Sequence, residues 1–326
     1  FTALLKLQEV EFCRGFARAD NIDELKKEIL LYYPTHVIAF IGRTHGPDCN
    51  TIDYLEQPGK LVENLRDNLY AQVTLANVCS SLKIHYTSIG TGCIFEYDKE
   101  HSVNGNNKFQ EHDIPNFFGS SYSIVKGFTD SIMHQYEDTV LNLRIRLPVA
   151  TMDNPRNLIS KIIRYEKVCS IPNSITVLPS LLPIILKMMK GEVTGTINLT
   201  NPGTITHNKI LELYKKHVNP EFTWKTMTIE EQDSMLAARR SNNALDTSTI
   251  ESLYEDILNA EQAVEMVLKN WNKKTIENKE ESDFSEDSDS EIEEPDIKKV
   301  TNGNKSDDED EEEETLIDLD NIHEGE

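Results

Sequence analysis

Apolar positions along the first 150 residues alternate between a strand-like and a helix-like period. Val10 to Cys13 reads as a short strand followed by a polar turn. Asp20 or Asn21 then offers an N-cap for a helix from about Ile22 to Leu31, with Asp23 and Glu24 in its first turn. Pro34 ends that helix, and the apolar run His36 to Gly42 (HVIAFIG) has the character of a buried strand. Leu61, Leu65, Leu69, Val73 and Ala76 form one stripe of a long helix from about Pro58 to Leu82. A strand at Ile84 to Ile89, a helix around Tyr122 to Tyr136 and a strand at Val140 to Arg146 complete the series. Such βαβ repetition predicts an α/β fold, a Rossmann-type doubly wound parallel sheet with helices on both faces.

Residues 151–272 are more mixed, with helices expected near Leu158 to Tyr165, Leu181 to Met189, Asn208 to Lys216 and Ile250 to Trp271, and a strand at Gly195 to Leu199. The expected organisation is a nucleotide-binding domain over 1–150, a smaller mixed α/β substrate domain over 151–272, and a tail over 273–326. Charge sets that tail apart. Of the chain's net −23, it carries −17, and Asp307 to Glu314 is an unbroken acidic run. So polar a segment cannot bury enough surface to offset its ordering entropy, and disorder is expected there. Ser282, Ser285, Ser288, Ser290 and Ser306 precede acids as acid-directed phosphorylation sites would, and the tail is a candidate dock for a basic partner.

Composition removes several classes. The longest apolar region, Ile175 to Met189, is broken by Pro179, Pro183 and Lys187, so no membrane span is expected. Five scattered cysteines without a CxxC argue against a disulfide framework or a zinc site, and for a reducing, cytoplasmic setting. No basic stripe tracks a nucleic-acid backbone. A glycine-rich phosphate loop is missing between the first strand and first helix. Because the opening FTALLKLQEVEF reads as a helix entering the Val10 strand, the first strand and that loop are expected to precede Phe1.

Three local patterns carry candidate chemistry. Tyr122 and Lys126 lie four residues apart on one helix face, where an ammonium can lower a phenol's pKa and hold a cofactor ribose; an ordinary solvated face is the alternative. Thr91 and Cys93 follow a strand at the sheet's carboxyl edge, where ligands bind in such folds. Thr91 is placed to bond a substrate oxygen; Cys93 is either an acid/base thiol or core packing. Arg18, shortly after the expected second strand, is either a partner for a 2′-phosphate or a solvated loop residue.

Eight collinear blocks then stand out: TGCIFEYD, DIPNFFGSSYSIVK, LRIRLPV, NPRNLISKIIRYEKV, IPNSITVL, NPGTITHNKILELY, FTW and RSNNALD. In order and spacing they resemble the UDP-4-keto-6-deoxyglucose 3,5-epimerase/4-reductases of plants and giant viruses. These are extended short-chain dehydrogenase/reductases related to dTDP-4-dehydrorhamnose reductase. The resemblance runs from about Val10 to Trp271 and leaves the acidic tail outside.

The resemblance implies conversion of a UDP-4-keto-6-deoxy sugar to UDP-L-rhamnose, with NADPH as the reductant and NADH as the alternative. Thr91, Tyr122 and Lys126 match the reductase triad, and Cys93 and Lys161 the acid/base pair of epimerisation. Phe40, Ile41 and Gly42 fall where relatives more often read Asn-Ala-Ala along the cofactor, and Asn68 matches a position that supports the site. Asn157, Asn173 and Arg240 lie in blocks facing the nucleotide sugar. Asn201 and His207 also match, with capping or core roles as the alternative. A homodimer is the assembly the resemblance suggests. Two further readings remain open: a reductase served by a separate epimerase, and a non-catalytic regulatory subunit.

Overall fold

A computed structural model describes residues 1–271; the tail and its serines lie outside the described residues. The chain begins with α1 (Thr2–Leu7) and α2 (Ile22–Tyr32), the latter capped by Asn21, whose side chain accepts from the Glu24 N–H. Next come β1 (His36–Ala39), a 3-10 turn (Ile52–Glu56), α3 (Leu61–Leu65), a π turn (Arg66–Tyr70) and α4 (Ala71–Leu82). They are followed by β2 (His85–Thr91), α5 (Ser121–Met133), β3 (Val140–Ile145), α6 (Leu158–Ile162) and β4 (Lys167–Cys169). The remainder comprises α7 (Leu178–Lys190), β5 (Gly195–Asn198), α8 (His207–His217), β6 (Lys225–Met227), α9 (Ile229–Met235), α10 (Ser248–Leu253) and α11 (Ala260–Lys269).

The main sheet runs β1-β2-β3-β5 and is parallel throughout, in a register that pairs Ile38 with Thr87, Ser88 with Asn142 and Leu143 with Ile197. Both faces are covered, as a parallel sheet requires. On one face Leu25, Ile29, Leu75, Cys79, Tyr86 and Val140 pack together; on the other, Leu141, Leu143, Leu181, Ile185, Met188 and Ile197 do. The alternation of Val140 against Leu141 and Leu143 is the period of a strand buried on both sides. The fourth strand comes from beyond residue 150, so the sheet draws on both expected halves of the chain. A third core, with Val149, Ile159, Val168, Ile175, Leu211, Val267 and Trp271, lies under the two-stranded parallel sheet β4-β6.

Three expectations need correction. Val10 to Cys13 is not a strand: among the described residues none pairs with it in a ladder, and Phe12 stays exposed. The expected Pro58–Leu82 helix begins at Leu61 and widens into the π turn, a feature that gathers at functional positions. The Ile250–Trp271 helix is two helices, because Asn259 and Gln262 close a capping box that starts α11 afresh, while Asp256 takes a left-handed φ of 63°.

Candidate active site

The site forms where β2 ends. Gly92 turns the chain there, and a side chain at that position would run into Leu245, with a Cβ only 2.6 Å from its Cδ1. That turn sets the Cys93 N–H 3.1 Å from Thr91 Oγ1, which accepts it. Opposite, Ser120 caps α5 by accepting from the Ser123 N–H, and the Ser123 hydroxyl donates to the Cys93 carbonyl at 2.7 Å. A second tie comes from Glu56, whose carboxylate accepts the Ser121 N–H at 2.7 Å. The start of α5 is thereby fixed against the end of β2.

Tyr122, in the first turn of α5, faces the Thr91 side chain. Burial pushes the phenol's pKa up, the neighbouring Cys93 adds to that, and the Thr91 hydroxyl opposes it. One turn on, Lys126 is 4% exposed. Burial brings its ammonium down to about 8, against the pull of Asp130. Asp130 is itself taken up by Arg144, through contacts of 2.9 and 2.6 Å. The end of β2 and the first turn of α5 thus place Thr91, Cys93 and Tyr122 as neighbours, with Lys126 one turn further along the helix.

Lys161 lies on α6, its Nζ donating to the Asn50 carbonyl at 3.1 Å. Burial lowers its pKa, and Arg156 and Arg240 lower it further. The Arg240 guanidinium is held by the Asp53 carboxylate and the Ala238 carbonyl. Asp53 also accepts the Ala238 N–H at 2.9 Å, and its pKa falls to about 2: burial would raise it, but the bonds from Arg240, Thr51 and Ala238 outweigh that. The segment after β1 thus reaches across to both Lys161 and Arg240.

The other expected residues divide. Asn68 sits in the π turn, 1% exposed, with its side chain accepting the Arg43 N–H and donating to the Arg43 carbonyl and to Asn64. It pins the chain just past Gly42. Phe40 and Ile41 are 57% and 38% exposed at the carboxyl end of β1, and Gln72 holds the Ile41 carbonyl. Asn157 caps α6 and spends its amide on the carbonyls of Ala150 and Met152. Asn173 is buried against Arg146, Asn242 and the Asn243 N–H. Asn201 likewise serves the backbone, bonding the Val177 N–H and the Leu258 carbonyl. Arg18, exposed on the surface, forks onto Asp20 at 2.8 and 2.9 Å.

Sequence reasoning passed over Arg146. Only 1% exposed, it points Nη1 at Cys93 Sγ, 3.3 Å away. Two arginines, Arg144 and Arg146, inside the otherwise apolar LRIRLPV run were the available signal, since charges in and beside a buried strand need a reason.

No protein-family model matches the chain. It is 49% identical over 254 residues to the uncharacterized protein L780 of Acanthamoeba polyphaga mimivirus, spanning 78% of this chain and 88% of that one. To the bifunctional dTDP-4-dehydrorhamnose 3,5-epimerase/dTDP-4-dehydrorhamnose reductase of Arabidopsis thaliana it is 38% identical over 273 residues, 83% of this chain and 89% of that one. The crystal structure described as the L780 UDP-rhamnose synthase of the mimivirus superposes with a TM-score of 0.80 at 46% identity, over 82% of this chain and 93% of that one. Dehydrorhamnose reductase from Bacillus anthracis, in complex with NADP, shares the fold at a TM-score of 0.66 and 14% identity, over 83% of this chain and 91% of that one. By identity and by coverage, the chain belongs to the family of bifunctional 3,5-epimerase/4-reductases of rhamnose nucleotide synthesis.

Proposed function

We propose that this protein converts UDP-4-keto-6-deoxy-D-glucose to UDP-L-rhamnose, by 3,5-epimerisation followed by NADPH-dependent reduction of the 4-ketone. The observation that carries the reading is the meeting of Cys93 with the Thr91–Tyr122 pair at the carboxyl end of β2. A ketone oxygen held by Thr91 and Tyr122 acidifies the carbons on either side, because the charge left by a departing proton collects on that oxygen. Cys93 and Lys161 are the groups that remove and return carbon-bound protons, and burial already lowers the lysine toward that task. Tyr122 then delivers the proton to O4, with Lys126 one turn further along α5 as the buried ammonium of this reducing half.

The nicotinamide half of a dinucleotide fits what is present. Lys126 is a buried ammonium whose nearest acid is occupied by Arg144, and Phe40 and Ile41 leave apolar surface open at the sheet's carboxyl end. Tyr122 and Lys126 would hold the ribose, and the Asn68-pinned backbone at Gly42 would line it. NADPH supplies the hydride for C4 when bound. Among the described residues no glycine-rich loop cradles its diphosphate. Arg18 is the candidate for the 2′-phosphate, in exchange for Asp20. Arg240 is the candidate for the sugar-nucleotide diphosphate, to which a guanidinium presents a matching fork.

No helix among the described residues is long and apolar enough to cross a membrane, and a cytoplasmic enzyme is the setting this reading requires. The test is to mix the protein with UDP-4-keto-6-deoxyglucose and NADPH, with no separate epimerase. NADPH oxidation matched by UDP-L-rhamnose supports the proposal. Oxidation that starts only when an epimerase is added would reduce the protein to a reductase.

A further inference from the structure

Two arginines of β3 and its continuation, Arg144 and Arg146, are both buried, and they are satisfied differently. Arg144 has a carboxylate, Asp130, across a forked pair. Among the described residues Arg146 has no carboxylate within ion-pair distance. Its Nη2 donates to Asn173 Oδ1 and, at 2.7 Å, to the Ser241 carbonyl; its Nη1 donates at 3.0 Å to Ser241 Oγ; its Nε has no partner. The remaining Nη1 contact is Cys93 Sγ, at 3.3 Å. A guanidinium cannot shed its charge, and a buried cation surrounded by neutral acceptors lacks its counter-charge. The thiol against it is the group able to supply one.

We propose that Arg146 is the positioning residue for Cys93. It fixes the sulfur beside the Thr91–Tyr122 pair and stabilises the thiolate that takes protons from the sugar ring. Asn173 and Ser241 aim the fork, which gives Asn173 a role one step removed from the substrate. Cys93 faces Tyr122 from α5, with Lys126 one turn further along it, and Arg146 from just past the end of β3. Tyr97, in the same loop as Cys93, lies within electrostatic range of Arg146. Of these, Arg146 is the cation in direct contact with the sulfur.

The inference rests on Cys93 acting as an acid/base group, and the test separates the two claims. Deuterium entry at C3 and C5 of the keto sugar in heavy water reads epimerisation; reduction of UDP-4-keto-L-rhamnose, already epimerised, reads the other half. Arg146→Met is expected to slow deuterium entry about 100-fold, the scale of a displaced acid/base group, while reduction changes less than about threefold. Arg146→Lys, which restores the charge without the fork, should recover at least about tenfold of the loss. Parallel falls in both activities, or unchanged deuterium entry, overturn the proposal. Cys93→Ala with normal deuterium entry would instead remove Cys93 from the mechanism. Should the Arg146 variants not fold, iodoacetamide labelling of the unaltered protein decides. At pH 7, Cys93 should react faster than the exposed Cys13, and slower reaction overturns the proposal.

Discussion

Asp130 and Arg144 form a forked ion pair in the protein interior, with side chains 3% and 0% exposed. It ties α5, the helix that carries Tyr122 and Lys126, to β3. Arg144 also donates to the Gln110 carbonyl and lies over the Phe95 ring, so the pair has all its partners. Removing one member leaves the other charge buried alone. Asp130→Ala or Arg144→Ala should cost about 3–5 kcal/mol in denaturant unfolding. A cost under 1 kcal/mol would mean that the pair does not anchor the helix.

Tyr122→Phe keeps the ring and removes the proton. Reduction should fall by about 10²–10⁴, the usual worth of a positioned acid. Deuterium entry at C3 and C5 should survive with a smaller loss, because Thr91 still bonds the ketone oxygen. Equal losses in the two assays would contradict the distinct part given to Tyr122 as the O4 proton donor.

Lys126 is charged below about pH 8 and neutral above it. Reduction that depends on this charge should decline as pH rises past that value, measured with substrate and cofactor saturating. A pH profile flat from 7 to 10 would contradict the role given to Lys126.

Stability has its own pH dependence. Burial lowers the pKa of His85 below the ordinary 6.5, with its bond to the Val193 carbonyl acting against that. A histidine whose folded pKa is depressed opposes folding once it must be protonated. Its contribution is full above pH 6.5 and is lost as pH falls beneath it. His207, buried as well, shifts the same way. Asp53 has the opposite chemistry and a lower window: its contribution holds above its ordinary 3.8 and is lost toward about 2. The melting temperature should therefore drop as pH falls below 6.5, and His85→Gln should flatten that drop.

At Gly90 a Cβ would come within 2.7 Å of Asn142 Oδ1. Asn142 cannot turn aside, since its amide nitrogen is committed to Asp130 at 2.9 Å. Gly90→Ala should destabilise the fold by about 1–3 kcal/mol, the usual cost of overpacking. A neutral effect in thermal unfolding would mean that the strand end is looser than the packing indicates.

Much of this was legible in the chain. HVIAFIG announced a buried strand by its apolar character, and the Ile84–Ile89 and Val140–Arg146 runs announced two more by alternating with helix-like stretches. Tyr122 and Lys126 share a helix face by spacing alone. What could not be read depends on partners distant in sequence. β4 and β6 are three residues each, and pair across more than fifty intervening residues. The Val10 segment had strand composition but no ladder partner among the described residues. Within the π turn Asn68 faces inward and holds Arg43, and Arg146 gains meaning only when Cys93 is seen beside it.

The central claim is that one chain performs two chemistries on one sugar. The most direct measurement is the isotope pattern of UDP-L-rhamnose made in heavy water from UDP-4-keto-6-deoxyglucose and ordinary NADPH. The account predicts deuterium at C3 and C5 and protium at C4, with no other enzyme present. Recovery of a reduced sugar that carries no deuterium and keeps the original configuration would contradict it.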